Sequence, residues 1–365
     1  MNTRLRWTRI LAVAAILAVV GVACGSSGGG SNPTTGTQTS GTQTTGTQTT
    51  GTQTSGTQTS GSAATPLKVA IVAPSATNDL AFTQSMVDAV NSLKASENLD
   101  VAVSDNMFVV DDAANAIRNY AKQGYDLVIA HGSQYGGSVQ QIAPQFPNVS
   151  FAWGTAGDTF GQPNVFAYSA SADEGGYAMG VMASALSKSK QIGIIGPIEV
   201  GDAQLYVDGF KAGIAATDSS VKANVNYTGS FSDVALAAEA ARTFLAQGAD
   251  VMTGSAQMVV GAVGVAKGAN VPWFGTQSNQ TSLAPDIVVA SQVYHWEVVL
   301  KDMIDKIRAG TLGGQSYDIN LKNGGEVIEY NPQFNLPSDV KAKGDAAVAG
   351  IVDGSIKTGV TEKTS

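Results

Sequence analysis

Four side chains at the end of one apolar run have the chemistry to hold a small ligand. Thr77, Asn78 and Asp79 offer hydrogen-bond donors and acceptors, and Phe82 offers a ring face. They follow residues 67–73, a run of β-branched and small apolar residues that suits a central strand of a parallel sheet and that Pro74 ends. Beyond the polar turn, Phe82, Met86, Ala89, Val90 and Leu93 recur at helical spacing. A strand, a polar loop and a helix opening at a sheet's carboxyl edge form a cradle for a small solute. The same residues also suit a plainer purpose, with Asn78 or Asp79 capping the helix and Phe82 in the core.

Later loops carry similar chemistry: HGSQYG (131–136), PIEV (197–200), SFSD (230–233), GSAQ (254–257), TQSNQ (276–280) and VYHW (293–296). They supply amides, hydroxyls and aromatic rings rather than a nucleophile with its base. No H-E-x-x-H, phosphate loop with its lysine, or G-x-S-x-G is present. His131 and His295 are the only histidines and have no spaced ligand partner, which argues against zinc. The glycines of GIIGPIEVG have the wrong spacing for dinucleotide binding. No cofactor or metal is expected. A secreted nucleoside hydrolase would need carboxylates clustered around a metal, whereas Asp79, Asp158 and Asp202 are scattered. Amides and rings suit a planar ligand, with rings stacked on a heterocycle and polar groups at its edge.

These loops need a framework. Strands are expected at 67–73, 101–106, 125–132, 149–154 and 164–170, with helices at 82–93, 110–121 and 139–146. The alternation restarts with a helix at 173–186. Strands at 191–197, 221–230, 250–255, 271–276 and 288–293 then alternate with helices at 200–216, 234–247 and 257–267. A helix at 296–307, weaker strands at 317–321 and 325–330, and an amphipathic piece at 337–351 follow. Two successive runs of right-handed crossovers predict two α/β lobes.

The chain has 365 residues and a formal charge of −8, made more negative by setting aside the arginines at 4, 6 and 9. With no basic patch and no interleaved aromatics, nucleic-acid binding is not expected. Those arginines precede an apolar run from Ile10 to Ala23 that is short for a membrane span and suited to a secretory signal. The run ends at Cys24, the only cysteine, so neither an internal disulfide nor a thiolate cluster is available. Gly21-Val22-Ala23-Cys24 resembles a lipobox, with Gly21 where leucine is preferred, and Cys24 is the expected lipidation site. Five copies of Gly-Thr-Gln-Thr-Ser/Thr then run from Gly36 to Ser60, and 25–65 has no large apolar side chain to repay folding. That segment reads as a flexible tether, and the folded part of about 300 residues is large enough for two cores.

Motif order over Lys68 to about residue 350 resembles the basic membrane protein family of lipoproteins, the substrate-binding components of ABC importers related to purine nucleoside receptors. The resemblance rests on Asn78-Asp79 with Phe82, Gly132-Ser133 with Tyr135-Gly136, Ser230-Phe231-Ser232-Asp233, and Phe274-Gly275 before Ser278-Asn279-Gln280. It implies a periplasmic-binding-protein fold of the first type, closing on its ligand about a hinge of three crossings. By that resemblance Phe82 and Phe231 stack on a purine, Asn78 and Asp79 lie beside its polar groups, and Ser133, Gln134 and Tyr135 line the first lobe. The loop from Gln277 to Gln280 would face them.

The family commonly has an aspartate in the loop matching 276–280, where this chain has Gln277 and Asn279, and a lysine soon after the late strand, where this chain reads Val293-Tyr294-His295-Trp296. A neutral amide lacks the charge-assisted hold on ribose hydroxyls, and Trp296 would fill the sugar space. Those departures resemble the branch that binds a free purine base, with a nucleoside as the alternative.

The expected organisation is a signal at 1–23, a tether at 24–66, and lobe one at 67–169 with 289–311. Lobe two is expected at 170–288 with 312–351, before a loose tail at 352–365. The expected partners are a purine-like solute, an ABC permease with its ATPase, and a membrane reached through lipidated Cys24; the soluble domain is expected to be monomeric and to face outward. A sensor for a membrane signalling protein is the competing class.

Overall fold

A computed structural model describes residues 65–363. The expected signal, Cys24 and the threonine-rich repeats lie outside the described residues.

From its start, β1 (Leu67–Val72) leads through α1 (Phe82–Leu93) to β2 (Leu99–Ser104), α2 (Val110–Lys122) and β3 (Leu127–His131). Next come α3 (Gly136–Ile142), β4 (Ser150–Gly154) and β5 (Val165–Ala170). The second series is α4 (Ala172–Leu186), β6 (Gln191–Gly196), α5 (Gly201–Thr217), β7 (Lys222–Tyr227), α6 (Val234–Ala246) and β8 (Val251–Gly254). It continues through α7 (Val259–Gly268), β9 (Trp273–Gln277) and β10 (Val288–Tyr294). The chain then makes α8 (Glu297–Arg308), β11 (Gln315–Ile319), β12 (Glu326–Tyr330) and α9 (Ser338–Asp353).

Two six-stranded sheets result, ordered β2-β1-β3-β4-β5-β11 and β7-β6-β8-β9-β10-β12. Every pairing is parallel except β10 with β12. Val69 sits opposite Val101 on one side and Leu127 on the other, so β1 is an interior strand, as its apolar run from Val69 predicts. Strands β3, β8 and β9 are buried along their whole length. The helix expected at 139–146 starts earlier, as a tight turn at Ser133–Tyr135 running into α3.

Three segments pass between the lobes, from β5 to α4, from β10 to α8 and from β11 to β12. Helix α4 belongs to lobe two, where it lies backbone-to-backbone against α5. A Cβ added at Gly180 would lie 2.1 Å from the Phe210 carbonyl oxygen, and one at Gly213 would lie 2.1 Å from that of Tyr177. Helix α8 belongs to lobe one: at its start Trp296 Nε1 donates to Ser85 Oγ of α1 (2.9 Å), and at its end Arg308 pairs with Glu97.

The lobe boundaries differ from those expected. Strand β10, assigned by sequence to lobe one with 289–311, pairs with β9 in the second sheet, and β11, assigned to lobe two with 312–351, pairs with β5 in the first. An apolar run looks the same whichever sheet receives it, so periodicity does not reveal the partner. The expected loose tail is also fastened to lobe two. Thr358 Oγ1 donates to the Asp173 carboxylate, the Lys363 amide donates to Gln204 Oε1 (3.1 Å), and Lys363 Nζ pairs with Glu199.

Acidic side chains gather where the crossings meet. Glu326, on the first residue of β12, is 1% exposed and neither carboxyl oxygen has a partner at hydrogen-bond geometry. Burial raises its pKa well above the usual carboxylate range, and the neighbouring charges of Glu174, Asp173 and Asp318 push the same way.

Candidate functional site

The carboxyl ends of both sheets meet around one cavity of about 390 Å³, a figure that includes space open to solvent. Lobe one contributes Pro74, Phe82, Phe108, Gly132, Ser133, Gln134 and Thr155; lobe two contributes Asp202, Ala203, Phe231, Ala256, Gln257 and Gln277. None of these is Lys, Arg or His.

Phe82 is held at the start of α1 by its neighbours. Asp79 accepts from the backbone amides of Ala81 (2.9 Å), Thr83 (3.1 Å) and Gln84 (3.0 Å), which fixes the helix entry. Behind Phe82, the His131 ring stacks at 3.8 Å between centroids and 10° between planes. His131 Nε2 lies 3.0 Å from the Phe82 carbonyl oxygen, which only accepts, so Nε2 carries the proton and donates. Nδ1 therefore accepts from the Tyr168 hydroxyl at 2.8 Å. Burial lowers the His131 pKa to about 3, opposed by its bond to Phe82, so the imidazole is neutral and serves as a rigid backing plate.

Phe231 faces the cavity from the loop between β7 and α6. Its carbonyl oxygen accepts from the Met258 amide (3.1 Å), and Asp233 caps α6 through the Ala235 and Leu236 amides. Its ring is half-buried, whereas Phe108 on the opposite rim is 43% exposed.

The polar end of the cavity centres on Asp202, in the first turn of α5. Its carboxylate accepts from Thr155 Oγ1 (3.2 Å), Gln277 Nε2 (3.3 Å) and the Tyr294 hydroxyl (3.3 Å). Burial raises its pKa, and the bonds from Gln277, Thr155 and Tyr294 oppose that rise. Gln277 is 3% exposed, and its Oε1 has no partner. Gln277 (φ +72°) and Ala256 (φ +73°) both hold left-handed backbone, sparsely populated for residues with a Cβ. Beside the cavity, Ser278 Oγ donates to the Ala81 carbonyl (2.7 Å) and Gln280 Nε2 to that of Leu80 (3.3 Å), joining the lobes.

Phe82, Ser133, Gln134, Phe231 and Gln277 are thus brought together, and five other expected site residues are not among the lining. Asn78 is exposed, and Asp79 is the helix cap already described. Tyr135 is fully buried, its hydroxyl donating to the Met107 carbonyl (2.7 Å). Asn279 points away and donates to Glu329 Oε2 (2.6 Å). Trp296 cannot fill a sugar space. It is fully buried at the lobe junction, edge-on to His131, Tyr168 and Tyr294, because its large apolar ring and single donor suit a core with Ser85 as acceptor.

Sequence reasoning did not select Phe108, Thr155, Asp202 or Gln257. Asp202 follows a strand's carboxyl end, which was the available signal. Among the described residues no group of three or more His, Cys, Asp or Glu side chains is disposed to hold a metal ion.

The family model described as ABC transporter substrate-binding protein, PnrA-like, matches residues 67–353. A purine-binding protein of Brucella abortus is 26% identical over 298 residues, covering 80% of this chain and 83% of that protein. The ABC transporter nucleoside-binding protein BmpA of Lactococcus lactis is 28% identical over 315 residues, covering 80% and 89%. Among solved structures, an ABC transporter solute-binding protein from Conexibacter woesei superposes with a TM-score of 0.67 at 27% identity, covering 80% of this chain and 98% of that one. Two lobes of parallel sheet joined by three crossings, with a cavity where their carboxyl edges meet, are the architecture such a protein requires. The chain belongs to the Bmp family of PnrA-like ABC transporter substrate-binding proteins.

Proposed function

We propose that this protein captures a purine, as the free base, outside the cytoplasmic membrane and delivers it to an ABC permease with its ATPase. The observation that carries this reading is one cavity lined by Phe82 from one lobe and Phe231 from the other, with Asp202 and Gln277 at its polar end. Facing rings give affinity to any flat heterocycle, and polar side chains choose its edge. The purine-binding and nucleoside-binding relatives support a heterocycle of that kind. The family of substrate-binding proteins to which the chain belongs, and its nucleoside-binding relative, support a solute that is bound rather than converted.

The free base is preferred because Thr155, Gln277 and Tyr294 all bond to Asp202 and close the polar end. A nucleoside is the second reading, and Asp202 favours it, since a carboxylate supplies the charge-assisted hold on ribose that Gln277 lacks. Calorimetric titration with adenine, guanine, hypoxanthine, adenosine and guanosine separates the two. Bases binding more tightly than their nucleosides is the expected result; the reverse order transfers Asp202 to the sugar, and no binding of any purine removes the reading.

Attachment to the membrane through lipid on Cys24 is part of the same proposal, motivated by the basic and apolar leader ending at the only cysteine. Among the described residues no helix is long and apolar enough to cross a membrane. Cys24→Ser should shift the protein from the membrane to the soluble fraction. A wild-type protein that is already soluble, with no acyl mass at its mature terminus, would refute the anchor.

A further inference from the structure

The polar end of the cavity is arranged around one carboxylate. Thr155, Gln277 and Tyr294 each direct a proton at the Asp202 carboxylate. Three groups able to donate, two hydroxyls and an amide NH2, converge on one carboxyl group and suit its ionised, acceptor-only form. Their protons are engaged, so none of the three side-chain groups presents that proton to a solute. The contact also orients the Gln277 amide. Reversing it would set its carbonyl oxygen 3.3 Å from the carboxylate, so Nε2 faces Asp202 and Oε1 faces elsewhere. Oε1 is buried without a partner, and an unpaired buried acceptor carries a desolvation penalty that a ligand N–H would remove. The backbone that holds it there is in the left-handed region, at φ +72°.

We propose that Asp202 and Gln277 are the specificity-determining pair of the site, adjacent acceptors that read two neighbouring N–H donors on a purine edge. The inference rests on the purine reading above. Guanine presents that pattern, with N1–H beside its 2-amino group. Hypoxanthine keeps N1–H and lacks the amino group. Adenine sets an unprotonated N1 beside its 6-amino group and would turn a lone pair toward one of the two acceptors, with no proton between them. The three bonds to Asp202 lie at 3.2–3.3 Å, the long end of the hydrogen-bond range, so a solute donor can share or displace them. With no Lys, Arg or His in the lining, nothing would offset the charge of a phosphorylated purine.

Titration calorimetry of the wild-type protein with guanine, hypoxanthine and adenine tests the pair directly. The expected order is guanine, hypoxanthine, adenine, with guanine roughly tenfold or more tighter than adenine, because a polar site penalises an edge that leaves its groups unpaired. Asp202→Asn should weaken guanine by roughly tenfold or more and leave adenine unchanged or improved, since the new amide can donate to N1. Adenine binding as tightly as guanine to the wild type overturns the proposal, as does an equal loss for both bases in Asp202→Asn. The wild-type order needs no variant, so misfolding of Asp202→Asn would not shelter the claim. Preference for adenine sinks this inference alone, whereas failure of all three bases to bind sinks the purine reading with it.

Discussion

Phe231 is the ring that can be removed with least disturbance. It is half-buried, and its backbone is fixed through the Met258 amide rather than through its side chain. Phe231→Ala should cost about 2 kcal/mol or more of binding free energy if the ring behaves as a buried anchor, roughly thirtyfold in Kd. Calorimetry would measure this, with the unfolding midpoint as control, and unchanged affinity would remove the stacking role. Phe82 is the poorer choice, because its ring also packs on His131. At this scale the sequence shows residue types but not their partners. Asp79 had two plausible uses, and three backbone amides decide for the cap. Asp202 looked like one scattered carboxylate because its partners Gln277 and Tyr294 lie 75 and 92 positions away. Trp296 read as a cavity residue from its place after a strand, but the turn into α8 carries it into the core.

Alternating strands and helices were legible almost throughout, since the interior strands are short apolar runs closed by polar or glycine-bearing turns, while the edge strands β7, β11 and β12 are more polar. The contact between α4 and α5 was less legible. Its glycines occur in GGYAMG and GFKAG, where composition alone suggests weak helices, and only the crossing shows that the missing side chains admit another backbone. Gly180→Ala would drive a Cβ to 2.1 Å from the Phe210 carbonyl oxygen, an overlap with backbone that no rotamer relieves. A loss of about 1–3 kcal/mol in urea unfolding is expected, as for other overpacked sites. Gly264→Ala in α7 is the matched control. Nothing lies within 4 Å of its added Cβ, so the substitution should be neutral or stabilising by up to about 1 kcal/mol. A gain at both positions would mean that helix propensity, not the close crossing, governs this pair.

For the whole molecule, two lobes were legible from the restarted pattern, but the membership of β10 and β11 was not, because sheet partners are set by the crossings. Those crossings also place Glu326 beside Asp173, Glu174 and Asp318. Its raised pKa means the folded protein keeps a proton that the unfolded chain releases above about 4.5. Stability from this group therefore falls as pH rises from that value toward the higher folded-state pKa, and the penalty is absent below it. Glu326→Gln should raise the denaturation midpoint at about pH 8, with the gain shrinking toward about pH 4. A gain independent of pH would assign the effect to packing. Tyr206 and Tyr294 also face this carboxyl group, and their pKa values are raised mainly by burial, so both stay neutral across that range.

The fastened C-terminal stretch bears on how the protein can be trimmed. The length shared with the family ends at residue 353, the end of α9, which makes that position an inviting place to cut. Cutting there removes Thr358, the side chain that donates to Asp173, and the Lys363 contacts to Gln204 and Glu199. Asp173 would lose a donor that favours its ionised form while staying beside Glu326 and Asp318. A shortened protein should therefore melt earlier than the full chain, with the deficit larger in neutral than in acidic buffer. Any change in its solute affinity would then begin at a strap held by Asp173 of α4 and Gln204 of α5, neither of which lines the cavity.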